Sequence, residues 1–119
     1  MRATLKELRQ KSAWSWAGWR VAWKSETALR AWALMHGISV LAALILPLSA
    51  VEVAIIVMGG TFVLVIELLN TAIERVVDYI SLERHPLAGE AKDIGSCAAS
   101  LAGIAVGLAW VVILVGLFA

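Results

Sequence analysis

Two apolar stretches follow one another with few charges: residues 31–50 (AWALMHGISVLAALILPLSA) and 51–70 (VEVAIIVMGGTFVLVIELLN). A third, residues 94–119, carries no charge at all. About 20 predominantly apolar residues carry a helix across a bilayer, so the pattern predicts three membrane helices. Pro47 and Ser49 mark a tight connection, making the first two a helical hairpin. Residues 4–27 follow another rule. Leu5, Leu8, Trp16, Trp19 and Trp23 recur at helical spacing on or near one face, and Lys and Arg hold much of the rest. Tryptophan favours the headgroup layer, so this segment reads as an amphipathic helix lying on the membrane surface. The plainer alternative makes it the Trp-rich first turn of a longer spanning helix.

Composition agrees. Of 119 residues, 61% are hydrophobic and 16% charged, against about 45–50% apolar in a soluble domain. The expected fold is all-α, one membrane domain over 1–119, with helices near 4–27, 31–50, 51–80 and 91–118. The net charge of +1 gives nucleic acid no attraction. A cleaved signal peptide is not expected, because the first apolar run begins only after some 30 residues. Cys97 alone builds no disulfide framework and reads as a small packing residue. His36, inside the first span, reads as packed and hydrogen-bonded rather than as a ligand.

Charge sets the orientation. Arg2, Lys6, Arg9, Lys11, Arg20, Lys24 and Arg30 precede the first span; Arg75, Arg84 and Lys92 lie between the second and third. None lies in the hairpin tip or after the third span. The positive-inside rule makes the N-terminus and the 75–93 segment cytoplasmic, and the C-terminus faces the other side. Gly95, Ala99, Gly103 and Gly107 step by four, and Gly59 and Gly60 sit in the second span, which lets helices approach closely. Three helices enclose little on their own, so a homo-oligomer is expected.

Candidate chemistry sits in VIELLNTAIERVVDYI, residues 65–80. Glu67, Asn70, Glu74 and Asp78 fall within an arc of about 80° on one helix face. The helical rise puts Glu67 at the inner edge of the hydrocarbon, Glu74 about 10 Å further out, and Asp78 in water. An acid at hydrocarbon depth is costly and is a functional candidate by default. It suits a general base, and carboxylates at headgroup depth suit Mg²⁺. The plainer reading pairs these acids with Arg75, Lys92 and the N-terminal cations, Arg75 and Asp78 being at helical spacing. Pro86 and Gly89 break the loop 81–93, leaving Lys92 and Asp93 at the start of the third helix, where a phosphate or a simple cap would fit. The nucleotide signatures GxxxxGK[ST] and GxGxxG are absent, as are HExxH, GxSxG and CxxC.

The runs ELLNTAIERVVD (67–78) and AKDIGS (91–96), with SWAGWRVAWKSETALR (15–30) upstream, resemble the prokaryotic integral-membrane diacylglycerol kinases over nearly the whole chain. The resemblance implies a homotrimer in a bacterial inner membrane, each chain with a surface helix and three membrane helices and a periplasmic C-terminus. It implies transfer of the γ-phosphoryl group of MgATP to diacylglycerol, in sites shared between subunits. By the same resemblance Glu67 is the proton acceptor, and Glu26 and Glu74 hold the metal. Trp14, Glu83, Arg84, His85, Lys92 and Asp93 lie near ATP together with those two acids. Arg20, Val21, Ala22, Trp23 and Ser96 meet the lipid, and Asn70 and Asp78 support the site. One departure is Glu7, which stands where the family has a substrate-contacting Arg, with Arg9 two residues on. The family's Gram-positive branch phosphorylates undecaprenol; HPLA (85–88) is like that branch, while the 15–23 segment and Gly95–Ser96 are like the diacylglycerol branch. A scaffold or ion-conducting oligomer is the non-enzymatic alternative.

Overall fold

The computed structural model describes residues 2–119; the side chain of Arg2, counted above among the N-terminal cations, lies outside the described residues. Four helices follow in order: α1 (Arg2–Ser25), α2 (Thr27–Ile45), α3 (Ala50–Ile80) and α4 (Pro86–Phe118). The last three are long and apolar enough to cross a membrane.

The boundaries have local causes. The chain leaves helical geometry at Glu26 (φ −109°, ψ 105°), so α1 and α2 are separate helices. Orphan carbonyls at the end of α1 are met by Arg30, whose guanidinium donates to Trp23 O and to Lys24 O at 3.2 Å. This break starts α2 four residues before 31. Pro47 disfavours helical geometry at Leu46, which is extended there and ends α2 well before residue 50. Ser49 then opens α3 with a capping box: Glu52 N donates to Ser49 Oγ at 3.2 Å, and Ser49 N donates to Glu52 Oε1 at 2.9 Å. Thirty-one residues make α3 about 46 Å long, some 16 Å more than the hydrocarbon is thick. The excess carries its C-terminal acids out of the apolar layer.

The start of α4 differs from the expectation. Pro86 and Gly89 do not prolong the loop; they form the first turn. Proline at the first helical position lacks only an N–H that would be unpaired anyway, and His85 Nδ1 accepts from Leu87 N at 3.1 Å. Lys92 and Asp93 therefore lie in the second turn rather than at the helix N-terminus.

Helix α3 is the central element, packed along its length against α4 and α2. Its buried stripe is Ile56, Gly60, Val63, Glu67, Asn70 and Thr71, steps of three and four that keep one face inward. Ile56 joins Ala43 and Ile113 in the core, with Trp110 against them. Four of the nine glycines seat side chains. Added Cβ atoms would run into the His36 imidazole at Gly60, the Trp32 ring at Gly103 and the Asn70 amide at Gly95. Gly107, last of the four-step series, meets nothing within 4 Å. Cys97 is exposed on this chain, contrary to the packing role expected of it, because the face of α4 turned to α3 is that of Gly95 and Ala99. Large apolar residues such as Leu34, Ile45 and Val112 also point outward, as expected where lipid or another chain is the solvent.

Candidate functional site

The acids of α3 divide as the rise of the helix dictates. Glu67 is buried, only 5% exposed, with Asn70 and Thr71 beside it; Glu74 is half-buried and Asp78 exposed. Glu67 faces the interior of the helix packing rather than its apolar periphery. Glu26, at the α1–α2 break, is half-buried too. Among the described residues no cation lies within ion-pair reach of Glu67. Asn70 Oδ1 is buried over Gly95 without a donor. A buried acid and a buried amide oxygen thus stand one turn apart on the inner face of α3, the amide at its seam with α4.

The two cations expected near the ladder go to different acids. Lys92 Nζ donates to Asp78 Oδ1 at 2.7 Å. Arg75, expected to pair with Asp78 in its own helix, turns instead to the α1–α2 junction. It donates to Ser25 Oγ at 2.7 Å and stands 3.9 Å from Glu26 Oε1. Glu83, Arg84 and His85 join Asp78 and Lys92 around a surface hollow of about 520 Å³ at the open ends of α3 and α4. A second hollow, about 620 Å³, lies between α1 and α3 and brings Val21 and Ala22 against Leu68 and Thr71, next to Glu67. Arg20 and Trp23 border a third with Trp16, Trp19 and Lys24, and Trp19 and Trp23 stack at 5.6 Å.

Other expected site residues are not gathered. Trp14 is 65% exposed, three turns from the break. Asp93 and Ser96 are exposed on α4. The structure adds Thr71, whose position one turn from Glu67 on the same face was available from the helical wheel. It also adds Arg75 as a partner of the junction, a long-range contact with no local signal. A cavity of about 320 Å³ lies two turns below Glu67, between α2, α3 and α4. His36 is the one titratable group lining it. Thr61 Oγ1 donates to Val57 O, so His36 Nε2 donates to Thr61 at 3.3 Å and Nδ1 remains an unpartnered acceptor.

Residues 13–114 match the family described as prokaryotic diacylglycerol kinase. The chain belongs to the prokaryotic diacylglycerol kinase family. It is 38% identical over 112 residues to the diacylglycerol kinase of Pseudomonas aeruginosa, covering 94% of this chain and 91% of that one. To the diacylglycerol kinase of Escherichia coli K12 it is 37% identical over 107 residues, 87% and 84% of the two chains. To that of Haemophilus influenzae it is 36% identical over 106 residues, 89% and 90%. As a member of the diacylglycerol kinase family it is a phosphotransferase. The buried acid of α3 and the helices that place it are thus parts of a kinase built without a soluble nucleotide-binding fold.

Proposed function

We propose that this chain transfers the γ-phosphoryl group of MgATP to the free hydroxyl of diacylglycerol, forming phosphatidic acid and ADP. The observation that carries the reading is Glu67: a carboxylate buried on the inner face of an apolar helix, with Glu74 about 10 Å further toward water on the same face. A lipid alcohol reaches the first from the bilayer, and a triphosphate reaches the second from the aqueous side. Glu67 accepts the hydroxyl proton as oxygen attacks phosphorus, and the bond to the ADP oxygen breaks. Asn70, one turn on, supports the site from the seam between α3 and α4. Phosphoryl transfer asks mainly for positioning and charge neutralisation, so few groups suffice.

Mg²⁺ fits the donors present. Among the described residues no three His, Cys, Asp or Glu side chains are grouped to enclose an ion. Mg²⁺ beside a nucleotide takes one or two carboxylates and completes its shell with phosphates and water, which Glu26 and Glu74 satisfy. The ion would neutralise charge on the transferred group. Lys92, Glu83, Arg84 and His85 border the nucleotide at the cytoplasmic surface. Arg20, Val21, Ala22 and Trp23 border the lipid, with α1 lying amphipathically on the inner-membrane surface of a homotrimer and the C-terminus in the periplasm. Trp14, Asp93 and Ser96 act on a neighbouring subunit's substrates.

The test is ADP release by protein purified in detergent with MgATP and either dioleoylglycerol or undecaprenol. Release with dioleoylglycerol is expected. Release with undecaprenol alone reassigns the substrate, and release with neither favours a non-enzymatic scaffold. Glu67→Gln should lower turnover by about 10²–10⁴-fold, the usual worth of a general base, with the oligomer intact by size-exclusion chromatography. Near-parental turnover would remove Glu67 from that role.

A further inference from the structure

Arg75 is the only cation in α3, and its contacts lie 50 residues away in sequence. Its target is the joint between α1 and α2. Glu26 is the single non-helical residue between α1 and α2, and as the N-cap of α2 its side chain makes no capping hydrogen bond. The carboxylate is thereby left for other work, and the joint is left without the brace that Ser49 gives α3. Two arginines supply one. Arg30 ties the end of α1 to α2 through the carbonyls of Trp23 and Lys24. Arg75 ties the same joint to α3.

The form of the second tie is informative. Had Arg75 evolved to neutralise Glu26, a close bidentate pair would be the strong solution. Instead its short hydrogen bond goes to Ser25 Oγ, and Glu26 Oε1 is held at 3.9 Å. Ser25 in turn stands 3.4 Å from Glu26 Oε1 and contacts Val21 O at 3.0 Å. The carboxylate is oriented by a charge alongside it while most of its lone pairs stay free. The residue before Arg75 is Glu74, so one turn of α3 presents an acid of the ladder and grips the other acid's anchor.

We propose that Arg75 is a positioning residue that locks the α1–α2 joint to α3, so that Glu26 and Glu74 are presented together to one divalent cation with its triphosphate. This rests on the lipid-kinase reading above. Arg75→Ala should raise the Mg²⁺ concentration for half-maximal rate about tenfold, near the worth of one hydrogen bond from a charged group. Arg75→Lys, with one donor still in reach of Ser25, should recover part of the loss. In a Glu26→Gln background Arg75→Ala should add no further Mg²⁺ requirement, because the two act through one group.

A readout free of catalysis uses nitroxides at Lys11→Cys on α1 and Tyr79→Cys on α3 in a Cys97→Ala background, labelled chains being diluted with unlabelled ones. The parent should give one narrow distance distribution and Arg75→Ala a broad one. An unbroadened distribution overturns the brace. Broadening with an unmoved Mg²⁺ requirement, or additive losses with Glu26→Gln, overturns the link to Glu26. If the unsubstituted protein releases no ADP with any lipid alcohol, the kinase reading fails and this proposal with it, a result separable from the others because it needs no substitution at Arg75.

Discussion

Gly60 and His36 show how one missing Cβ decides a packing. A methyl group at position 60 would occupy the His36 ring, which is anchored on Thr61. Gly60→Ala should therefore destabilise the protein by about 1–2 kcal/mol, an overpacking cost partly offset by alanine's better helix propensity. The same change in a His36→Ala background meets no ring and should be neutral or stabilising. Thermal unfolding of the four proteins in one detergent checks the reversal of sign; equal costs in both backgrounds would show that the ring is not what fills the notch. Nothing in the sequence joined His36 to Gly60. The glycine read as a site of close helix approach, which it is, but the partner is an aromatic side chain from α2 rather than backbone.

Among elements, the pairing of α3 with α4 was partly legible. The arc of Glu67, Asn70, Glu74 and Asp78 follows from helical period alone, and the structure grades it from buried to exposed in that order. The ends of the helices were less legible. A proline read as a loop residue became the first residue of α4, because proline serves helix starts as readily as it ends them. Lys92–Asp78 then links the two helices where they emerge, both side chains being roughly 40–45% exposed, so the pair is screened and contributes little stability. This permits a separation of roles. Reversing the pair, Asp78→Lys with Lys92→Asp, should leave the melting temperature near that of the parent. If Lys92 also faces nucleotide phosphate, the reversed protein should need several-fold more ATP for half-maximal rate. A parental ATP requirement would make Lys92 purely a strut between helices.

At the scale of the whole molecule, hydropathy and charge placed three helices long and apolar enough to span and a basic N-terminal helix before them, since a bilayer leaves few solutions. What they could not place is which surface meets which, because outward apolar residues face lipid and neighbouring chains with the same chemistry. The chain itself poses that problem at α4. Gly95 faces Asn70 of α3, and Asp93, two residues earlier, points about 200° away. Asp93 and the exposed Ser96 therefore do not meet Glu67 of their own chain. If they serve the reaction, they serve a neighbour's ladder, and the site is completed only in the oligomer. Mixing inactive subunits tests this. Chains carrying Glu67→Gln and chains carrying Asp93→Asn, unfolded and refolded together in equal amounts, should regain about a quarter of parental activity. That is the fraction of random neighbours in a closed ring that join an intact ladder to an intact Asp93. Were both groups used within one chain, every mixed oligomer would carry one defect per site, and mixing would restore nothing.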